Sequence, residues 1–583
     1  MENEKKVLLS VKDLHVKFRV RGRILTAIRG ISLDIYENES IAIVGESGSG
    51  KSVFTKTFAG MLDENGYISQ GDIIFNDDEL AETYVDYTGA EKALVASLAL
   101  ELNMLSKLEL GVKTYRKMKE LEAEENGKMS ISAQREQEYN DKISDLTFKM
   151  TELFNRRQTM DRKNEKALIS ETTTKINAYK AEIKQLESEL EAEKSANKAA
   201  YNNDAAAIAN YNAEMAALRA QYNQEIAGEI SQETVARNLT IAKEVYLSVG
   251  RFAYARRQKL TRDLMYALRT AMTIGVDLTD ESEINRVFDT VLFRVRYVDE
   301  TEEKLHGRSV LNLAKVKDTR DWTQVRGNRI ATVFQDPMTS LNPIITIGKQ
   351  ISSIIMKHQH CTEVEARERA ISMMKKVGIP NAEKRFDDYP FQYSGGMRQR
   401  IVIAIALSCQ PKILICDEPT TALDVTIQAQ ILDLLKKLQR EFNYTIVFIT
   451  HDLGVVANVA DRVAVLYAGQ IVELGSVYEV FYDPRHPYTW ALLSSLPQLA
   501  ERQSKLFSIS GTPPSLYNTI VGDPFAPRNQ YCMKIDTLKE PPMFRVTDTH
   551  YAKTWLLDPR SPKVEKPEAI RNIHEKLCKA FNI

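Results

Sequence analysis

Apolar positions recur along this chain at two different periods. Between 139 and 222 they fall every three or four residues: Tyr139, Ile143, Leu146, Met150 and Leu153; Ile176, Tyr179, Ile183, Leu186 and Leu190; Ile208, Tyr211, Met215, Leu218 and Tyr222. Charged and small polar residues fill the gaps, so each set is a heptad seam, the pattern of paired long helices or a coiled coil. "ANKAAYNNDAAA" separates the second and third sets. Asn202, Asn203 and Asp204 there predict either the tip of a helical hairpin near 196–205 or one continuous helix with a stutter. Outside this region the pattern changes. Short apolar runs such as "IAIVG", "GDIIF", "RIATVFQ", "KILIC" and "IVFIT" alternate with helix-like stretches such as "VFTKTFAGML" and "MRQRIVIAIAL", as in an α/β domain.

Proline sharpens the division. All 18 prolines lie from Pro337 onward, and the stretch from about 85 to 320, rich in Ala, Glu, Lys and Gln, suits long helices with breaks at Gly127 and Gly228. The 583 residues suffice for two to four domains. A formal net charge of −1 gives no basic character to indicate a nucleic-acid partner. The N-terminus has no apolar signal core, and "IVIAIAL" is far too short to span a bilayer, so membrane association is expected only through a partner. The five cysteines (Cys361, Cys409, Cys416, Cys532, Cys578) form no CxxC pair, and a reduced, cytoplasmic protein is the simplest reading.

Three motifs carry chemistry. "IAIVGESGSGKS" is a strand followed by G-x-x-x-x-G-K-S. Gly45, Gly48 and Gly50 let the backbone of Glu46, Ser47 and Ser49 wrap around phosphates. Lys51 can reach the β- and γ-phosphates, and Ser52 can ligate Mg²⁺. "KILICDEP" ends a strand in two carboxylates: Asp417 can hold the metal through water and Glu418 can act as general base, although acidic residues also end strands merely for solubility. In "QYSGGMRQR", Ser394, Gly395 and Gly396 open a helix, itself an anion site, although such a turn alone is common.

In this order the elements resemble the ATP-binding subunit of an ABC transporter. Gly45 to Ser52 match the Walker A loop, Gln335 in "VFQDPMTSLNP" the Q-loop, Ser394 to Met397 the signature, Asp417 and Glu418 the Walker B pair. "TALD" (421–424) matches the D-loop with Asp424, and His451 the switch histidine. "QDPMTSLNP", "DEPTTALDVTIQAQIL", "YDPRHPYTWALLSSLP" and "GTPPSL" resemble the subfamily powering uptake of oligopeptides, dipeptides and nickel, closest to oligopeptide importers. The resemblance covers about 330 residues, roughly 1–80 and 318–565.

That resemblance implies a P-loop α/β domain with a helical subdomain, binding ATP and Mg²⁺. The metal would meet Ser52, Gln335 and Asp417, and Glu418, His451 and Gln335 would serve hydrolysis. It implies a dimer, commonly with a sister ATPase, whose signature turn completes the site. Two membrane-spanning permeases and an extracellular peptide-binding protein would complete the system at the cytoplasmic face of the membrane. The family usually stacks an aromatic on adenine; the nearest here is Phe18, which reads equally as a core strand residue. Many members also carry four cysteines in the tail for an iron–sulfur cluster. Here Asp523, Asn529, Asp536 and Thr554 occupy those places and Cys532 is out of register, so no cluster is expected.

The expected organisation is 1–84 as the first part of the ATPase, 85–318 as an inserted helical or coiled-coil arm, 319–490 as the second part and 491–583 as a C-terminal extension. "GDIIF" and "RIATVFQ" are expected to be neighbours flanking the insertion. A coiled coil between nucleotide motifs also resembles SMC-type and DNA-repair ATPases, the rival reading. Against it stand the return of the arm before Gln335, its reach of about 100 Å or less and the importer-like flanking phrases. A regulatory module without turnover is opposed by Glu418 and His451. The "YLSVGRFAYARRQKLTRDL" stretch could form a helical base or bind a partner.

Overall fold

The computed structural model describes residues 5–21, 23–158, 166–316, 319–421, 423–495, 509, 511–517, 520–571 and 573. Ala422 of the TALD match and Cys578 lie outside them. The chain divides into two compact units, one of 1–83 with 308–583 and one of 84–307.

The first unit contains two sheets. In the larger one, strands Arg462–Tyr467, Ser40–Val44, Thr445–Ile449, Ile413–Asp417 and Ile330–Val333 lie side by side and parallel. Gln470–Ser476, Tyr551–Ala552 and Phe544–Arg545 extend it with antiparallel strands. Strands Ser40–Val44 and Thr445–Ile449 are buried throughout, as near-continuous Ile, Val and Phe sequences covered on both faces must be. The second sheet is antiparallel: Arg23–Tyr36, Val7–Val20, Gly66–Phe75 and Leu311–Asn312. Helices Ile347–Gln359, Glu363–Lys376 and Gly395–Leu407 bury Ile351, Ile355, Ala370, Met374, Ile401 and Leu407 in the core that backs the parallel sheet.

Two expectations need correction. "GDIIF" and "RIATVF" are not sheet neighbours, because they belong to different sheets. Ile74 and Phe75 pair with Asn312 and Leu311 on one edge and with Ser10 and Leu9 on the other. Asn312 secures this pairing: its side-chain carbonyl accepts from Ile73 N–H at 3.1 Å and its amide donates to Asp72 at 2.9 Å. With Leu313 buried in the same core, residues 308–316 belong to the first unit and not to the arm.

The second unit is not purely helical. Glu82–Asp86, Lys304–Ser309 and Val295–Glu300 form a three-stranded sheet at its start and end. The β-branched alternation of "VRYVDE" was the available signal, lost in the low-proline composition of the surrounding stretch. Helices Ala133–Gln158 and Lys166–Asn202 run antiparallel. Tyr139 Oη donates to Glu193 at 3.0 Å, Lys194 Nζ to Glu136 at 2.7 Å, and Asn197 Nδ2 to Ser130 O at 3.0 Å. The seam Ile176, Tyr179, Ile183, Leu186, Leu190 is buried or half-buried along the first of these partners.

These two helices are therefore the limbs of the hairpin, and its tip does not lie near 196–205. Asn203 and Asp204 interrupt the returning limb, where Asp204 caps helix Ala205–Glu225 by accepting from Ala207 N–H at 2.9 Å. That helix packs on Val112–Lys128, with Tyr222 against Gly111 and Tyr115. In the "YLSVG" region, helix Gln232–Gly250 buries Ile241, Val245, Leu247 and Val249. Its Glu244 takes Arg294 as a fork, Nε and Nη2 each at 2.8 Å.

Candidate functional site

Four loops meet at the C-terminal ends of four adjacent parallel strands, where open α/β sheets gather ligands. Gly45–Gly50 follow Ser40–Val44, Glu418 follows Ile413–Asp417, His451 follows Thr445–Ile449 and Gln335 follows Ile330–Val333. They border a cavity of ≈ 940 Å³ whose lining includes Ser47, Gly48, Gly50, Lys51, Ser52, Gln335, Glu418, Thr421 and His451. Phe18, Val20, Leu25, Ala27 and Leu516 also line it.

The loop before helix Lys51–Phe58 needs its glycines. A Cβ on Gly45 would sit 2.1 Å from the carbonyl oxygen of Leu466, and one on Gly50 3.0 Å from that of Ala27. Gly48 (φ 80°) instead faces open space, so its backbone can approach a ligand closely. The helix has no side-chain N-cap, which leaves its positive end available to an anion. Lys51 Nζ donates to the carbonyls of Gly45 at 2.8 Å and Glu46 at 3.0 Å. Burial holds its ammonium below the usual lysine value, against the opposing pull of Glu418, Asp417 and Glu46.

Ser52 Oγ donates to Asp417 Oδ1 at 3.2 Å, and burial pushes the Asp417 carboxyl up from its ordinary value, partly offset by that bond. A hydroxyl beside a carboxylate is a hard-oxygen pair suited to Mg²⁺. Glu418 is the hub. Its Oε2 accepts from Gln335 Nε2 at 2.7 Å and from Thr421 Oγ1 at 3.1 Å, and His451 Nδ1 lies 3.2 Å from Oε1. The backbone of Glu418 is left-handed (φ 46°) and its N–H donates to Ile449 O, a conformation costly for a non-glycine residue.

Ser394, Gly395, Gly396 and Asp424 are not among the residues lining this cavity. Ser394 caps helix Gly395–Leu407 and Asp424 caps Val425–Phe442, accepting from Ile427 N–H at 2.9 Å. Phe18 lines the cavity but is a buried strand residue whose ring fills the space beside Gly66. Thr421 and Arg528 escaped the sequence reading. Thr421 stands in the quoted "DEPTTALD", and its bond to Glu418 is the short-range kind that spacing alone suggests. Arg528 reaches Glu46 across 482 residues, for which the sequence holds no signal.

In the tail, each residue standing at an expected cysteine position binds its own backbone. Asp523 accepts from Phe525 N–H at 2.9 Å, Asn529 from Tyr531 at 2.9 Å, Asp536 from Met533 at 2.6 Å and Thr554 from Leu556 at 3.3 Å. Among the described residues no helix is long and apolar enough to cross a membrane.

Residues 28–226 and 293–421 match the "ABC transporter" family, and 472–535 match "Oligopeptide/dipeptide transporter, C-terminal region". The chain is 65% identical over 266 residues to the oligopeptide transport ATP-binding protein AmiE of Streptococcus pneumoniae, covering 46% of this chain and 75% of that one. It is 55% identical over 286 residues to the oligopeptide transport ATP-binding protein OppD of Bacillus subtilis (49% and 79% covered). It is 49% identical over 328 residues to the dipeptide transport ATP-binding protein DppD of Lactococcus lactis (56% and 93% covered). On these matches the chain belongs to the ABC transporter family, as one of its ATP-hydrolysing, ATP-binding subunits.

Proposed function

We propose that this chain drives an importer of oligopeptides by hydrolysing ATP at the cytoplasmic face of the membrane, paired with a sister ATPase and two permeases and fed by an extracellular peptide-binding protein. The observation that carries the hydrolytic part is Glu418. It stands at a strand end beside the phosphate loop, held by Gln335, Thr421 and His451. The peptide substrate is supported by the relatives' names and by the match of 472–535.

In this reading the backbone of Gly45–Gly50 and Lys51 bind the phosphates, and Ser52, Asp417 and Gln335 hold Mg²⁺. Bound there, the metal would supply charge neutralisation to the phosphates. Glu418 accepts a proton from the attacking water, while His451 and Gln335 orient its carboxylate. Ser394, Gly395, Gly396 and Asp424 serve the nucleotide on the sister subunit. Every residue given a role lies in the unit of 1–83 and 308–583, which supports reading 84–307 as an arm added to the engine.

The tail holds no iron–sulfur cluster on this reading, since Asp523, Asn529, Asp536 and Thr554 offer no thiolates. Anaerobically purified protein should lack stoichiometric iron and acid-labile sulfide; a full complement of both would contradict the assignment. The function itself is tested by reconstituting the chain with its permeases, sister subunit and binding protein. ATPase activity should rise on adding oligopeptide, and indifference to every peptide tested would remove the substrate assignment.

A further inference from the structure

Glu46, the first variable residue of the phosphate loop, is held at three points. Its carbonyl accepts from Lys51 and from Ser49 N–H. Its own N–H donates to Tyr488 Oη at 2.8 Å. Its carboxylate accepts both ends of the Arg528 guanidinium, Nη1 at 2.6 Å and Nη2 at 2.9 Å. Two of these three come from beyond the nucleotide motifs. Tyr488 is the second residue of the helix Pro487–Ser494, and Arg528 ends the 3₁₀ turn Ala526–Arg528 between Asp523 and Asn529.

The support behind them is rigid. Phe525 is buried and its ring meets Tyr467 (5.3 Å, 87°) and Tyr488 (5.4 Å, 61°) edge-on. Arg528 Nη1 also donates to Tyr467 Oη at 3.2 Å, at the end of the strand beside the loop's own. Asp523 fixes the turn through Phe525 N–H, and its N–H reaches Asp536 O at 2.7 Å. Gly522 is required there, because a Cβ would lie 2.1 Å from that same oxygen. The Arg528 side chain is 4% exposed and Glu46's is 26% exposed, so the ion pair is largely withdrawn from water.

We infer that the C-terminal region is a clamp on the phosphate loop, with Arg528 as a positioning residue that neutralises Glu46 and sets the loop's shape for ATP. This rests on reading 45–52 as the ATP loop. Arg528 touches no phosphate; it acts through Glu46. Without the guanidinium, an uncompensated carboxylate stands in the loop that must receive a triphosphate. The penalty falls on ground state and transition state alike, which raises KM and leaves kcat nearly alone. A residue that merely stabilised the fold would lower Tm and leave KM unchanged.

The test uses the full chain assembled with permeases and sister subunit, the sister's site silenced, with binding followed by a fluorescent ATP analogue and turnover by phosphate release. Arg528→Met should weaken nucleotide binding and raise KM by about 30-fold, the low end of the cost of unpairing one largely buried charge, with kcat within about twofold. Adding Glu46→Gln to Arg528→Met should restore affinity to within about threefold of wild type, because the stranded charge is gone. Arg528→Lys, which keeps the charge and loses the fork, should fall between, and it replaces Arg528→Met if that variant does not fold. Unchanged KM in both Arg528 variants, or a double variant as weak as Arg528→Met, would overturn the clamp. Lys51→Ala in the same assay separates the two readings. If it leaves binding intact, the ATP-loop reading fails; if it abolishes binding while Arg528→Met does nothing, only the clamp fails.

Discussion

Replacing Glu418 by Gln removes one proton-accepting oxygen and little else. The amide keeps the volume and planarity of the carboxylate, and its oxygen can still accept from Gln335 or Thr421. The left-handed backbone at φ 46° and the N–H bond to Ile449 O do not depend on the side chain. The phosphate loop is untouched, since Lys51 bonds to Gly45 and Glu46 and not to Glu418. Binding of ATP should therefore persist. On the proposed mechanism what goes is the base: general-base catalysis is worth about 10²–10⁴ in rate, or about 2.7–5.4 kcal/mol at 1.36 kcal/mol per tenfold. Single-turnover phosphate release from the assembled complex, with the sister site silenced, should fall at least about 10²-fold while the nucleotide Kd changes little. The complex should accumulate in its ATP-bound state. Turnover within a few-fold of wild type would refute the role of Glu418 and with it the orientation assigned to His451 and Gln335.

Gly45→Ala places a methyl group 2.1 Å from Leu466 O, a backbone atom, so the loop must move; nucleotide binding should be lost while circular dichroism stays unchanged, and intact binding would deny the loop its tight fit. Burial, with Asp536 nearby, raises Asp523 to about 6 against the opposing Phe525 N–H bond, so the folded state holds its proton more tightly than the unfolded one. Stability at this site is then lost as pH rises from about 4 through about 6, and Asp523→Asn should flatten the fall in Tm over that window; an unaltered pH profile would contradict it. Glu244→Ala removes the forked, buried partner of Arg294 and leaves it only Glu281 and Asn285 on Nη1, a loss of about 3 kcal/mol in the arm's stability by denaturant unfolding, with ATPase activity retained. Replacing 84–307 by a short Gly/Ser linker should leave a folded, active ATPase, because Thr83 and Ser309 already lie within hydrogen-bonding distance at 3.0 Å; loss of ATP binding in a well-folded deletion would return the arm to the engine.

The loops that gather at the candidate site were legible because their patterns are local. A glycine pattern sets the loop's backbone, and an apolar run ending in Asp417–Glu418 marks a buried strand with a polar end. The heptad seams were legible for the same reason, since a helix face depends on neighbours three and four residues away. What they could not say was where the limbs fold back: Asn203 and Asp204 have turn-forming side chains, and the chain uses Asp204 to cap a helix in mid-limb. Pairings across long separations stayed hidden. Leu311–Asn312 beside Ile74–Phe75, and Arg528 on Glu46, depend on tertiary placement that no local pattern encodes. The small sheet at 82–86, 295–300 and 304–309 was missed because its strands are short and lie within a helix-rich composition.

The most direct test of the whole account is uptake of a labelled oligopeptide into proteoliposomes containing this chain, its sister ATPase, the permeases and the binding protein. Uptake should require ATP on the side where this chain is exposed and should fall to background with Lys51→Ala or Glu418→Gln. Peptide accumulation that continues at the wild-type rate in either variant, or that never depends on ATP, would contradict it.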